Sequence, residues 1–512
     1  MRMNNIEDLP FDPSIQLNSV MMDKIIEYCD HDVNATELFY KECSKDIELR
    51  KQLSEVYDLD LTNANDPKIG SEIFLDLLSK EMKTNKWDLK KQRTYRRKIA
   101  FKDIIIDYIK YDTPEMNRVL NAFKAYQTGD GVKDFEISGT IGNIKNDFGQ
   151  GGLHGCTKPG VYKSTQDKVI IDIDVASYYP NMAIGNKFRP QHLGESFSKI
   201  YESIYTLRKT FPKSDPRNTA CKLMLNGSFG KMSDVYSFLY DPKALLSITV
   251  NGQLLLTMLM EKINSNVKGI EFLQSNTDGF TFLIDRDKVD YMKKIVTAWE
   301  SKTNLVMEYA IYEKMIIRDV NNYMSITDTG KVKYKGCFEI DRDFHKNHSK
   351  RIVPIALANY YINGVNPVET IYNHFLEDDY SFCKNYGVFD FCLGSKMKGK
   401  NKLFARTINS NSVNDLQLGR VTRYYVSNDG VELIKKLPPS ESNYLTETDK
   451  HPENQMNMFD IIEDVKVDPK DRETSIEAGW KSTVFNKYID DDYDLNYSYY
   501  INEVNKIINK IN

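Results

Sequence analysis

No stretch of eighteen consecutive apolar residues occurs in the chain, so a membrane-spanning helix and a membrane partner are not expected. The opening residues, MRMNNIEDLPFDP, hold no apolar run of the kind an export signal needs. Cysteine is scarce. The seven thiols, Cys29, Cys43, Cys156, Cys221, Cys337, Cys383 and Cys392, are scattered, odd in number and form no C-x-x-C pair. That speaks against a zinc site and a disulfide framework, and a reducing cytoplasm is the simplest setting. A strong excess of one charge is missing too. The net charge of −4 argues against a protein that simply coats nucleic acid, although the local distribution of charge weighs more than its sum. There is no internal repeat.

What is present is length, apolar content and local charge. The 512 residues, 41% of them hydrophobic, are enough for large cores and suggest three or four domains. Between Lys83 and Lys102 lie Lys86, Lys90, Lys91, Arg93, Arg96, Arg97 and Lys98, opposed only by Asp88. A second cluster comprises Lys396, Lys398, Lys400, Lys402 and Arg406. Such runs form either a solvated face or, where lysines alternate around a glycine, a phosphate-contacting loop. The C-terminal end is acidic, with Asp490, Asp491, Asp492 and Asp494 among tyrosines.

Periodicity predicts helices over 19–55 and mostly helix over 66–125, with a break at Thr113-Pro114. The glycine-rich stretch 127–160 reads as turns and short strands and marks a boundary before a core. Further on, strands are expected over 311–340 and 420–436 and helices near 353–378; the polar stretch 438–456 reads as an exposed loop or linker.

The most informative stretch is Lys168 to Phe188. Val169, Ile170, Ile171 and Ile173 are β-branched and predict a buried strand. Asp172 and Asp174 interrupt it, and residues two apart on a strand share a face. A buried bare carboxylate is costly unless it is paired or metal-bound. The pair therefore marks either a cation site or an exposed strand end. Ser177-Tyr178-Tyr179-Pro180 then breaks the chain sharply with two aromatics that are not typical of turns.

Two helices follow, 196–211 and another from about Thr219, forming a hairpin. Lys222, Asn226 and Phe229 fall at i, i+4 and i+7 on the second, while Arg208 and Lys209 end the first. Cations beside an amide and a ring suit a nucleotide; the alternative is a surface lysine over a core phenylalanine. After a long apolar helix, about 245–263, comes the hairpin IEFLQSNTDGFTFLI. Asp278 either favours its turn or joins Asp174 in a two-metal site, whose ions lie about 3.5–4 Å apart and clamp a phosphoryl transfer.

In order, DVASYYP (174–180), KLMLNGSFG (222–230) and SNTDGF (275–280) resemble motifs A, B and C of family B DNA polymerases, which read roughly D-x-x-S-L-Y-P, K-x-x-x-N-S-x-Y-G and D-T-D-S. Gln150 to Gly155 resembles the Gly-Gly linker motif ahead of the polymerase core. Lys331-Val332-Lys333-Tyr334 resembles the motif that holds the primer terminus, and Tyr28 to Asp32 resembles the last motif of the proofreading exonuclease. The likeness spans nearly the whole chain and is nearest to polymerases of tailed phages.

The resemblance implies an α/β right-hand fold with an antiparallel palm sheet, a short helical fingers hairpin and a thumb. Its domains would be an N-terminal region with linker (1–150), palm (151–195), fingers (196–232), palm again (233–340) and thumb with C-terminal region (341–512). It implies template-directed extension of a primer 3′-OH with dNTPs during phage DNA replication, in the host cytoplasm. Asp174 and Asp278, with the Val175 carbonyl, would bind two Mg²⁺ ions, for which Mn²⁺ can substitute. Lys222 would contact the triphosphate and protonate pyrophosphate, and Arg208 or Lys209 would bind the outer phosphates. Tyr179 would exclude a ribose 2′-OH, and Asn226 and Phe229 would line the nascent base pair. Gly151, Gly152, Lys331, Lys333, Tyr334 and the cluster Lys396, Lys398 and Lys400 would contact primer–template DNA. Asp172 would keep a supporting or structural role, and Tyr178 would pack.

Departures accompany the match. Asn276 replaces the first aspartate of motif C, Tyr178 stands for leucine, Gly227-Ser228 replaces the usual Ser-x pair, and Phe229 stands for tyrosine. Gly149 stands where the linker motif has its tyrosine. Only 27 residues (28 − 1) precede Tyr28, with no D-x-E among them, so no complete 3′–5′ exonuclease site is expected; the exonuclease is either a separate polypeptide docking on residues 1–60, a partner beside replication accessory proteins, or it has been lost. The gaps of 48 residues (222 − 174) and 56 residues (278 − 222) leave little room for protein-priming insertions, so RNA or DNA primers are expected. Two alternatives remain: a catalytically inactive polymerase-like subunit that binds primer–template, motivated by Asn276, and another palm nucleotidyltransferase such as a primase or reverse transcriptase.

Overall fold

The β-branched run around Asp172 forms a strand at the middle of a ten-stranded sheet. In this computed structural model the described residues are 3–12, 14–129, 134–343, 346–399, 401–409, 412–436, 473–490 and 492–512. The chain is mixed α/β with antiparallel sheets and divides into two compact units. One comprises Cys43–Lys335 with Ile511–Asn512, the other Met1–Glu42 with Gly336–Lys510.

In the first unit the strands are β1 (Glu136–Ile141), β2 (Ile144–Gly149), β3 (Leu153–Cys156), β4 (Gly160–Lys163), β5 (Lys168–Val175), β6 (Glu271–Ser275), β7 (Gly279–Asp285), β8 (Met307–Asp319), β9 (Asn322–Thr327) and β10 (Val332–Tyr334). They pair antiparallel in the order β1-β2-β3-β6-β7-β5-β8-β9-β10, with β4 beside β8. Alternation along β5 separates two faces. Val169, Ile171 and Ile173 join the main core with Leu255, Met292, Val296 and Trp299 of the helices Pro242–Asn266 and Val289–Thr303. Ile170 packs on the other side with Tyr312 and Met315.

Among the described residues, the helix Pro242–Asn266 is the one long and apolar enough to raise the question of a membrane. By length and composition it could cross a membrane, yet 94% of its most apolar window is buried inside the protein. Polar side chains break its apolar run, and they are used. Asn251 accepts from the Ile106 amide and donates to the Ile104 carbonyl. Glu261 accepts from the amides of Asp112 and Thr113. These bonds also explain why 66–125 is less helical than expected. Helices cover Asp66–Glu81, Lys86–Lys91 and Pro114–Ala125. Part of the intervening backbone is satisfied instead by the long helix. The predicted break at Pro114 is a helix start, with the Thr113 side chain capping the Met116 amide.

Part of the basic run is ion-paired within this unit. Lys86 pairs with Asp76, Lys90 with Glu72, and Arg96 with the buried Asp241.

The second unit contains the helices Ser19–Glu42, Ile352–Asn363 and Tyr497–Ile511 and small antiparallel sheets built from strands between Leu393 and Val484. The members of its second basic cluster have different surroundings. Arg406 lies on the strand Lys402–Asn409 and is held by Asp415 and Glu473. Lys396 and Lys398 are exposed; Lys400, Asp491 and the linker 438–456 lie outside the described residues. In the acidic end, Asp494 accepts from the Asp429 amide and the Asn428 side chain.

This unit is pinned by a buried polar network. Asp390, fully buried, accepts from Arg351 at 3.0 Å, lies 3.1 Å from His374 Nε2 and accepts from the Tyr386 amide at 2.8 Å. Burial alone pushes the Asp390 carboxyl up, but His374, Arg351 and the Tyr386 amide outweigh it and hold it below the usual carboxylate range. A depressed carboxylate contributes stability above the unfolded pKa, which is lost as pH falls through the folded one. Asp390→Ala leaves Arg351 and His374 without their shared partner and is expected to cost about 3–5 kcal/mol. Chemical denaturation at neutral pH measures this, and the difference from wild type shrinks in acid.

Candidate active site

Three strands bring the predicted carboxylates together. In register, Asp174 of β5 faces Gly279 of β7, and Asp172 faces Thr281. The turn after β6 closes with the Asn276 amide donating to the Gly279 carbonyl at 2.8 Å. The Val175 amide donates to the Asp278 carbonyl, also at 2.8 Å. That bond ties the end of β5 to the hairpin tip that carries Asp278.

Glycine is required at that tip. A Cβ on Gly279 would lie 1.9 Å from Asp174 Oδ1 and 2.3 Å from the Ile173 carbonyl oxygen. The linker glycines are close by. A Cβ on Gly152 would meet Thr277 Oγ1 at 2.4 Å, whereas Gly151 has open space around it.

A cavity of about 330 Å³ is lined by Asp172, Asp174, Asn276, Asp278, Tyr323 and Lys333, among others. The two aspartates of β5 differ in surroundings. Asp172 is buried, and its oxygens accept from Thr281 Oγ1 at 2.5 Å and Tyr312 Oη at 2.7 Å. Its valences are used by the protein. Asp174 has no such hydrogen-bond partner among the described residues, and its carboxyl is pushed well above the usual range. Burial is the largest cause, followed by the charges of Asp172 and Asp278, then Glu308; Lys333 opposes them. Burial alone pulls the Lys333 ammonium down, but Tyr323, Asp172 and Asp174 outweigh it and hold it above its ordinary value.

Crowded carboxylates beside the ammonium groups of Lys333 and Lys335 make a polar cavity in which a divalent cation could replace the repulsion between Asp174 and Asp278. Among the described residues no three His, Cys, Asp or Glu side chains form a complete cage. Mg²⁺ is commonly held by one or two carboxylates with substrate phosphates and water supplying the rest. Asp174, Asp278 and the Val175 carbonyl are the groups that would hold it.

The break after β5 is built on a strained residue. Ser177 adopts φ 45° and ψ 55°, a left-handed conformation unusual for serine. It turns the chain into the helix Tyr178–Asn186, braced by Asn181 Nδ2 donating to the Ala176 carbonyl at 2.6 Å. Tyr178 is buried and donates to the Gly252 carbonyl at 2.5 Å. Tyr179, half-buried, stacks on Phe229 with centroids 4.0 Å apart and planes 16° from parallel. Its hydroxyl is pushed up to about 12 by burial and then by the charge of Asp278. Tyr179 thus links the carboxylate site to the helix Pro216–Lys231.

On that helix Lys222 and Asn226 are exposed and Phe229 is half-buried, so the predicted face is open. The neighbouring helix Gly194–Thr210 separates its two cations. Arg208 Nε reaches Asn218 Oδ1 at 3.5 Å, while Lys209 Nζ sits 4.1 Å over the Tyr205 ring. Arg208 therefore leans toward the helix that carries Lys222, and Lys209 toward its own.

Of the other predicted residues, Lys333 lines the carboxylate cavity, Lys331 is exposed beside β10, and Tyr334 is half-buried. Tyr28 and Asp32 lie on Ser19–Glu42 in the other unit, Asp32 beside His31 at 3.6 Å. Sequence reasoning missed Glu308, which faces Asp174 across the β5–β8 ladder. It also missed Thr281 and Tyr312, which hold Asp172. Only register reveals these.

A scan of protein-family models and a search of curated proteins return no match. Among solved structures, the chain is similar to the family B DNA polymerase from the hyperthermophilic archaeon Pyrobaculum calidifontis, at 13% identity and a TM-score of 0.42. The match covers 96% of this chain and 57% of that one, so the chain spans little more than half the length of that polymerase.

Proposed function

We propose that this chain is a template-directed DNA polymerase of the family B kind, acting in phage DNA replication on RNA or DNA primers. The observation that carries the reading is the meeting of Asp174, Asp278 and Tyr179, with Phe229 stacked on the tyrosine. The ten-stranded sheet would be the palm, the helices Gly194–Thr210 and Pro216–Lys231 the fingers, and the C-terminal residues the thumb.

Bound Mg²⁺ would supply electrostatic stabilisation to the transferring phosphate. The chain's own residues do the rest. Asp174 and Asp278 present the negative charge that holds the cation. Lys222 and Arg208 bind the triphosphate as cations, and Lys222 holds a proton at Nζ for the departing pyrophosphate. Tyr179 fixes the sugar position by contact. Lys333 balances the carboxylates on the side where primer DNA would lie. A separate exonuclease polypeptide and accessory factors belong to the same proposal.

Purified protein, a labelled primer–template and single dNTPs test this: extension should occur only with the complementary nucleotide. Tyr179→Ala is expected to raise ribonucleotide use relative to deoxyribonucleotide use by at least about tenfold, since it removes the contact that rejects the 2′-OH. Competition between rNTPs and dNTPs measures it. An unchanged ratio would take the sugar-discriminating role from Tyr179.

A further inference from the structure

A basic groove lies on the helix side of the sheet in the unit Cys43–Lys335. It has a volume of about 400 Å³ and runs between the helices Pro242–Asn266 and Val289–Thr303. Its floor is apolar. Met258 and Trp299 are buried there, Ile295 is half-buried, and Ala298 is exposed. The Trp299 ring is fixed by its Nε1 donating to the Leu255 carbonyl at 3.0 Å. The rim carries Lys110, Lys262, Lys294 and Lys302, all exposed, and no carboxylate lines the groove. Lys262 pairs with Asp112, and Lys302 Nζ lies 5.3 Å from the centre of the Tyr108 ring. Lys110 and Lys294 have no ion-pair partner among the described residues. Four lysines on one rim, of which Lys262 alone is ion-paired, stand out in a chain whose net charge is −4.

We propose that this groove docks an acidic segment of a partner protein through one or two bulky apolar side chains. Charge complementarity selects the acidic flanks, since the lysines form one sign of potential over a low-dielectric floor. The floor selects the anchor: a concave apolar patch rimmed by polar groups is a docking feature, and methionine adapts to apolar side chains of varied shape. Nucleic acid fits less well. The rim has no arginine fork. Asp174 belongs to the opposite face of the sheet from Ile171 and Ile173, which pack toward these helices. A partner in the groove would leave the carboxylate cavity open, so the docking does not depend on the polymerase reading.

The test uses the full chain and a fluorescein-labelled decapeptide of aspartates and glutamates around a central Phe-Leu pair, followed by polarisation. Saturable binding that weakens with salt is expected. Replacing Phe-Leu by Ser-Ser should weaken it at least about tenfold, as should Lys294→Glu combined with Lys302→Glu. Lys294→Ala with Lys302→Ala should give a smaller loss at an unchanged unfolding midpoint. Any of three results overturns the proposal: no saturable binding at low salt, equal binding of the serine peptide, or equal binding by the folded lysine variants. Oligo-dT displacing the peptide while binding more tightly would also overturn it, and would make the groove a nucleic-acid surface.

Discussion

Asp174→Asn and Asp278→Asn are each expected to lower the primer-extension rate by at least about 10³-fold, near or beyond the top of the range for removing one preorganised electrostatic contact. The reason is charge rather than shape. Asparagine is close to isosteric with aspartate but cannot supply the negative charge that holds a divalent cation. Stability should move the other way. In metal-free protein the Asp174 carboxylate is half-buried and repelled by Asp172 and Asp278, so neutralising it removes a cost. Asp174→Asn is therefore expected to unfold at the same or a higher temperature than wild type without metal, and to lose any stabilisation by Mg²⁺. Thermal unfolding with and without Mg²⁺, read beside extension rates, separates this outcome from misfolding. An Asp174→Asn protein that keeps wild-type extension would remove Asp174 from the reaction.

Gly279→Ala is the second large effect. The added methyl would lie 1.9 Å from Asp174 Oδ1, 2.3 Å from the Ile173 carbonyl oxygen and 2.9 Å from the Asp174 Cα. Two of these three atoms belong to backbone, so rotating a side chain cannot make room. β5 and β7 must part locally, which costs about 1–3 kcal/mol for overpacking of this kind. The Asp174 carboxylate moves with them. Extension should fall by about 10²-fold or more, because catalysis is steep in the position of reacting groups. Gly151→Ala is the matched control: nothing lies within 4 Å of the added atom, and stability should stay that of wild type. Equal activity of Gly279→Ala and wild type would mean that the Asp174 position tolerates displacement.

Much of the site is legible in the sequence because its signals are local. The β-branched run predicts β5, the apolar segments around Asn276 to Asp278 predict the β6–β7 hairpin, and helical spacing places Lys222, Asn226 and Phe229 on one face. What is not legible depends on partners far along the chain. Asp172 and Asp174 look alike in sequence, and Thr281 and Tyr312 distinguish them, 109 and 140 residues beyond Asp172. Glu308 has no motif; only the pairing of β5 with β8 brings it opposite Asp174. Arg406 sits in a basic run but is claimed by Asp415 and Glu473. The long apolar helix is legible as a helix, but the partners of Asn251, Gln253 and Glu261, which interrupt its apolar run and hold other backbone in place, are not.

Primer extension by the wild-type chain, in Mg²⁺ and in Mn²⁺ and beside a measurement of primer–template binding, tests the central claim most directly. The account predicts templated addition of dNTPs that stops on chelation and resumes when metal is restored. Intact binding of primer–template with no extension in either metal would contradict it, and would make the chain a DNA-binding subunit that keeps the carboxylates without the reaction.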